Sequence, residues 1–202
     1  MSGPEASEGR LVRRWLAGDR AALERLLEAY YPYVLRLCSL MAGEPQLAEE
    51  WSQDALLQVA SQLHRYDPQR PFKPWLRQVV LNVCRNRREQ ARLRQRRETS
   101  WEALAATSDG PAEREGRRPA EAASQDGAVE QQVLLQEGLR TLERAWARLP
   151  AEWRTALWLR AVEGLSYGEI AAAGEWPEGT AKTYVFRARQ ALRRALFEEV
   201  GE

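Results

Sequence analysis

Residues Leu165 to Arg194 read LSYGEIAAAGEWPEGTAKTYVFRARQALRR, and this stretch decides the fold. Ser166 with Glu169 three residues on has the spacing of a capping box, so a short helix starts there. Gly174, Pro177 and Gly179 punctuate the chain, after which Ala181, Val185, Ala188 and Leu192 recur every three or four residues, the period of one buried helical face. The pattern is helix, tight turn, helix. No acid lies between Thr180 and Ala195, whereas Lys182, Arg187, Arg189, Arg193 and Arg194 crowd the second helix. Lys182, Thr183, Phe186, Arg187 and Gln190 share its outward arc. A one-signed arc carrying an exposed aromatic suits an anionic partner that also offers apolar base surface. The competing reading is a basic helix that is merely solvated.

Working outward, 202 residues can hold one medium domain or two small ones. The net charge of +1 conceals basic runs at Arg85 to Arg97 and Lys182 to Arg194 that acids elsewhere offset, so total charge does not name a partner. Cys38 and Cys84 each sit in an apolar helical pattern, which favours buried free thiols over a disulfide or a metal site. No apolar run reaches membrane-spanning length and the first residues lack a charged-then-apolar leader pattern, so a cytoplasmic protein without membrane insertion is expected.

From the beginning, residues 1–9 read as a loose tail and 10–97 as a first helical domain. Leu11, Val12, Trp15 and Leu16 form a short amphipathic helix, and Asp19 is a suitable N-cap for a longer one. Pro32 predicts a kink or break in that second helix. A third helix runs from about Gln46 to about His64, with Trp51, Ala55 and Val59 inward and Glu49, Glu50, Gln53 and Asp54 outward. That acidic arc is also what an ordinary solvated face looks like. His64, the single histidine, fits a structural role.

The loop RYDPQRPFK, Arg65 to Lys73, interrupts the helices, and Tyr66 and Phe72 are predicted to be partly exposed in it. Pro74 suits the first turn of a fourth helix with Trp75, Leu76, Val79, Val80, Val83 and Cys84 as core and Asn82, Arg85, Asn86, Arg88 and Arg92 facing out. Aromatic rings beside a cationic face are what single-stranded nucleic acid requires, one for stacking and the other for phosphate. The alternative is that these aromatics fold back onto the core.

Between Thr99 and Ala128 the composition turns to Ala, Glu, Ser, Gly and Pro, which marks residues 98–130 as a flexible linker and predicts two domains of variable separation. Residues 131–202 form the second domain, with Leu139, Leu142, Trp146 and Leu149 ahead of Pro150 and a further helix from Ala151 to Glu163 before the opening motif. No strand pattern appears, so the predicted class is all-α, two small helical domains on a linker. There is no glycine-rich phosphate loop, metal-ligand cluster or catalytic constellation, hence no enzyme, metal or cofactor is expected.

Several motifs in order, YYPYVLRLC, LAEEWSQDALLQV, DPQRPFKPWLRQVVLNVCRNR, LPAEWRTALWLRAVEGLSYGEIA and PEGTAKTYVFRARQALRR, resemble those of bacterial RNA polymerase sigma factors of the extracytoplasmic-function type. The resemblance covers roughly Leu11 to Leu93 and Leu139 to Leu196, and it implies a sigma-2-like and a sigma-4-like domain. It further implies a specificity subunit that directs core RNA polymerase to promoters and starts DNA melting. By this resemblance Glu49, Glu50, Gln53 and Asp54 meet the clamp helices of the beta-prime subunit. Tyr66, Arg70, Phe72, Lys73, Trp75, Asn82 and Arg85 match the parts that capture the unstacked -10 strand. Lys182, Thr183, Tyr184, Phe186 and Arg187 match those that read the -35 duplex. The same resemblance implies contact with the beta flap and a protein inhibitor, an anti-sigma factor. A helix-turn-helix regulator that works without polymerase, its first domain serving dimerisation, is the alternative.

Three positions depart from the family pattern. The turn is Gly174, Glu175, Trp176, Pro177, with its glycine displaced by one, so a reshaped turn refilled by Trp176 is predicted. Tyr184 stands where arginine is frequent, and Trp51 and Ser52 replace aliphatics in the polymerase-facing helix.

Overall fold

A computed structural model describes residues 4–105 and 127–198. Among these residues the chain is helical throughout its regular structure: α1 (Pro4–Leu16), α2 (Arg20–Ala42), α3 (Pro45–Gln62), a 3-10 turn (Leu63–Arg65), α4 (Phe72–Ala105), α5 (Gly127–Arg148), α6 (Ala151–Ala161), α7 (Tyr167–Gly174) and α8 (Glu178–Glu198). The all-α expectation holds.

Helix α1 begins at Pro4, inside the stretch read as a loose tail. It ends where Gly18 takes φ 96°, and Asp19 then caps α2 by accepting a 3.3 Å hydrogen bond from the Ala22 N–H. Arg14 pairs with the same carboxylate at 2.6 Å, and this hydrogen-bonded partner holds the Asp19 pKa below its ordinary value. Helix α2 runs through Pro32 without the break that was one of the two expected outcomes. Both Pro32 and Glu28, whose carbonyl loses its helical donor, are exposed, so water can serve the orphaned group.

Helices α1 to α4 close around Leu26, Val34, Leu37, Val59, Leu63, Leu76 and Val80, all buried. Cys38 and Cys84 meet in this core across α2 and α4 as free buried thiols, their sulfurs 3.5 Å apart. In the second bundle Ala156, Leu159, Ile170, Ala181, Val185 and Ala188 make the corresponding core of α6, α7 and α8. Helix α4 continues to Ala105 and α5 starts at Gly127, so both ends of the stretch read as linker are helical. The intervening positions lie outside the described residues.

Variable separation of the bundles was the sequence expectation, yet here they are docked, α6 against α2 and α7 against α4. Arg154, a buried arginine on α6, donates to the Leu40 carbonyl at the end of α2 and to the Ala147 carbonyl, each at 3.1 Å. Thr155 donates to the Met41 sulfur at 3.2 Å, and the Tyr33 and Trp158 rings meet with centroids 6.2 Å apart. A buried arginine that found no such acceptors would be left desolvated at a cost of several kcal/mol, so the carbonyls at the end of α2 give α6 a specific seat. Composition gives no sign of it, because each partner group reads as an ordinary core or surface residue within its own helix.

Candidate nucleic-acid interface

The predicted capping box is present: the Glu169 N–H donates to the Ser166 hydroxyl at 3.3 Å and the Ser166 N–H donates to the Glu169 carboxylate at 2.8 Å. The Ser166 hydroxyl also donates to the Glu169 carboxylate at 2.7 Å, and this bond first, then the Ser166 N–H, lowers the Glu169 pKa. Helix α7 ends with Glu175 in the left-handed region, φ 51° and ψ 43°. The Trp176 N–H donates to the Ala171 carbonyl at 2.9 Å and the Glu175 N–H to that of Ala172 at 3.4 Å, the pair of bonds of a Schellman cap.

Gly174 has no need of positive φ. A Cβ there would lie 2.5 Å from the Trp176 indole, so the missing side chain makes room for that ring. Trp176 is half-buried, and its space-filling role agrees with the expected refilling of the turn. Its edge-to-face contact with Tyr184, 5.1 Å between centroids, commits Tyr184 to packing.

Lys182, Thr183, Phe186 and Arg187 are exposed on α8, as the sequence predicts, with Phe186 at 65% exposure. Lys182 pairs with Glu178 at 3.0 Å, Thr183 donates to the Gly179 carbonyl at 2.8 Å, and the Arg187 guanidinium lies 5.8 Å from the Trp153 ring centroid. Tyr184 is half-buried and presents less of itself than the others.

On the first bundle, Tyr66 and Phe72 are buried, at 5% and 1% exposure, which corrects the expectation of part-exposed rings. Phe72 packs against Tyr30 at 5.1 Å, Tyr66 at 5.3 Å and Trp75 at 5.5 Å between centroids. The Tyr66 hydroxyl donates to the Arg70 carbonyl, tying the loop down. The apolar loop rings gained more from burial than from exposure, the outcome that their hydrophobic area favours. Trp75 remains half-buried beside exposed Arg70 and lines, with Arg77 and Gln78, a crevice of about 580 Å³ whose other wall is Glu169, Ala172 and Ala173 of α7.

Farther along α4, Arg85 spans two partners: it donates to the Asn82 side-chain oxygen and pairs with Glu175, both at 2.5 Å. Lys73 lies 3.3 Å from Glu163 and 4.7 Å from the Tyr33 ring centroid. Burial, and then the Glu163 carboxylate, push the Tyr33 pKa up. Thus Asn82 and Arg85 share one side of α4 and Lys73 stands apart at its first turn, against Glu163 and Tyr33, whereas Tyr66 and Phe72 support the helix from within.

Helix α3 presents Glu49, Glu50 and Gln53 to solvent, and the half-buried Asp54 pairs with Arg87 of α4. Trp51 and Ser52 are buried, so these departures from the family pattern are core substitutions, with the Ser52 hydroxyl donating to the Glu49 carbonyl at 2.7 Å. Two exposed apolar features escaped the sequence reading. Leu57, 71% exposed, continues the acidic arc one turn beyond Gln53. On the second bundle Trp146, Leu157, Trp158, Val162, Leu196 and Phe197 line an apolar groove of about 540 Å³. The signal for both was an apolar residue off the buried helical stripe. Among the described residues there is no group of metal-ligating side chains and no helix long and apolar enough to cross a membrane.

Residues 26–97 match the family model Sigma-70 region 2, and residues 139–192 match Sigma-70, region 4. Over 193 residues the chain is 29% identical to the RNA polymerase sigma-H factor of Pseudomonas aeruginosa, covering 95% of both chains. It is 28% identical to the ECF RNA polymerase sigma factor SigW of Bacillus subtilis, covering 92% of this chain and 94% of that one. Two solved structures have a similar fold. One is CnrH in complex with the cytosolic domain of CnrY, at TM-score 0.55 and 19% identity, covering 95% of this chain and 98% of that one. The other is the sigma factor RpoE with the anti-sigma factor NepR from Bartonella quintana, at TM-score 0.53 and 23% identity, covering 86% and 95%.

Proposed function

The chain belongs to the sigma-70 family and is an RNA polymerase sigma factor of the extracytoplasmic-function type, and we propose how its two bundles divide the work of promoter recognition. Helix α8 enters the major groove at the -35 element, where Lys182 and Arg187 place it on phosphates and Thr183 and Phe186 face base edges and the thymine methyl group. The side of α4 bearing Asn82 and Arg85, with Trp75, Lys73 and Arg70 at its start, takes the unpaired -10 strand. Tyr66 and Phe72 hold that surface in shape from beneath.

The observation that carries this reading is the pairing of an acid-free, exposed arc on α8 with a separate cationic side on α4, one in each family-matched region. Opening each stacked step costs about 1.4 kcal/mol, so a bubble of several base pairs exceeds what a few contacts on α4 return. Core polymerase must supply the rest. We assign its clamp helices to Glu49, Glu50, Gln53 and Asp54 with Leu57 beside them, and its beta flap to the apolar groove around Trp158 and Phe197. An anti-sigma factor would compete for these surfaces. No catalytic role is assigned, and the site of action is the cytoplasm, where core polymerase and DNA are.

Run-off transcription with purified core enzyme on a genomic promoter library tests the proposal. Lys182→Ala with Arg187→Ala should weaken promoter binding across sequences and lower the salt slope by about 2. Asp54→Lys with Gln53→Lys should weaken holoenzyme assembly while helix content stays unchanged. Unaltered assembly of the reversed protein, or promoter selection without core enzyme, would overturn it.

A further inference from the structure

At about 100° per residue, Lys182 and Arg187 lie roughly 140° apart around α8, and Phe186, Gln190 and Thr183 fall between them. The two cations therefore mark the edges of the outward arc. Rings from neighbouring helices flank them: Tyr167 at the start of α7 has its centroid 5.9 Å from the Lys182 ammonium, and Trp153 of α6 has its centroid 5.8 Å from the Arg187 guanidinium. Gln190 is exposed and stands opposite the buried stripe of Ala181, Val185 and Ala188, between roughly 140° and 180° around the helix from each. It occupies the middle of the face that α8 turns outward.

Hydrogen-bonding capacity separates Gln190 from its neighbours on the arc. Lys182 and Arg187 can donate but not accept, and the Phe186 side chain can do neither. The Thr183 hydroxyl already donates its proton to the Gly179 carbonyl at 2.8 Å, and the Tyr184 ring is packed against Trp176. The Gln190 amide carries a donor and an acceptor fixed in one plane. Adenine presents the complement in the major groove, an N6 donor beside the N7 acceptor, and glutamine meets both at once. Thr183, Phe186, Arg187 and Gln190 also follow the spacing i, i+3, i+4, i+7 over about 10 Å of helix, the spacing with which a helix lying along the groove reads base edges.

We propose that Gln190 is a specificity-determining residue of this factor, pairing through its side-chain amide with N6 and N7 of one adenine in the -35 duplex. The inference rests on the placing of α8 in that groove and names the base that the centre of the helix recognises. Phosphate contacts at the two edges set the position of the helix, and the amide between them supplies sequence information. Because the amide is uncharged, it adds discrimination between bases without adding to the salt dependence of binding.

Holoenzyme assembled from the full-length chain and purified core RNA polymerase should be presented with promoter duplexes randomised across the -35 element, and the bound fraction sequenced at low and at moderate salt. The parent should require adenine at one position. Gln190→Ala should lower that preference about tenfold at that position alone, with the other positions and the salt slope unchanged, and Gln190→Arg should turn the preference there to guanine. Circular dichroism checks that each variant keeps its helices. An unchanged profile for Gln190→Ala beside an altered one for Phe186→Ala overturns the proposal while leaving α8 in the groove. A uniform loss across all sequences also overturns it, by placing the amide on a phosphate, as does a change at a position where the parent prefers a base other than adenine. If neither variant alters the profile anywhere, α8 does not read the -35 duplex, and that reading fails together with this inference.

Discussion

The indole of Trp176 meets the ring of Tyr184 edge to face, 5.1 Å between centroids, directly over the absent side chain of Gly174. A methyl group at that glycine would lie 2.5 Å from the indole, closer than atoms can approach. Gly174→Ala should therefore destabilise the helix-turn-helix by about 1–3 kcal/mol through overpacking, read as a lower urea midpoint at unchanged slope. Adding Trp176→Leu should recover part of the loss, because the two changes act on one space. Additive losses would show that the ring yields freely.

The same contact decides what Tyr184 does for DNA. Its ring is held by Trp176 and half-buried, while Phe186 projects from the next outward position. Tyr184→Phe keeps the packing and should leave promoter affinity within about twofold, whereas Phe186→Ala should lose about tenfold if the ring meets a thymine methyl group. Electrophoretic mobility shifts with holoenzyme measure both. A larger loss for Tyr184→Phe would return the hydroxyl to base recognition.

Helix periodicity and caps were readable because they are local: the Ser166 and Glu169 pair, the Asp19 cap and the buried stripe on α8 are set by neighbours within one turn. Tyr66 and Phe72 were misjudged because nothing in RYDPQRPFK announces that Tyr30 of α2 waits to pack against Phe72. That the helix does not break at Pro32 has a related reason, since whether a lost helical bond matters depends on whether water reaches Glu28. The docking of Arg154 on Leu40 spans 114 residues, and no window along the chain contains both. Local rules gave the elements; contacts between elements chose which of their faces remain available.

Ser166 tests the local part. Its hydroxyl accepts from the Glu169 N–H and donates to the Glu169 carboxylate, so one substitution removes both bonds and leaves only the backbone Ser166 N–H on that carboxylate. Ser166→Ala should cost about 1 kcal/mol of stability, seen in urea unfolding. Ser166→Thr preserves the hydroxyl as acceptor and donor and should recover most of that loss; no recovery would mean that the cap contributes little.

Alkaline pH tests the first bundle's core. The Cys38 sulfur 3.5 Å away and, next, burial hold the Cys84 thiol well above its ordinary value of 9.0. In the unfolded chain this thiol ionises near its ordinary value while in the folded chain it stays neutral. Its contribution to stability is thus full below pH 9.0 and is lost as pH climbs from there toward the raised folded value. Tyr33, also raised by burial, adds a second decline of the same sign above its ordinary 10.0. Urea midpoints should be flat through neutral pH and fall above pH 9, with the first part of the fall removed by Cys84→Ala. Neither thiol should react with an aromatic disulfide reagent at pH 8 until urea unfolds the chain, since both are inaccessible in the native core. Rapid labelling of folded protein would mean that α2 and α4 part readily, and a midpoint that rises above pH 9 would contradict the buried, neutral state of Cys84.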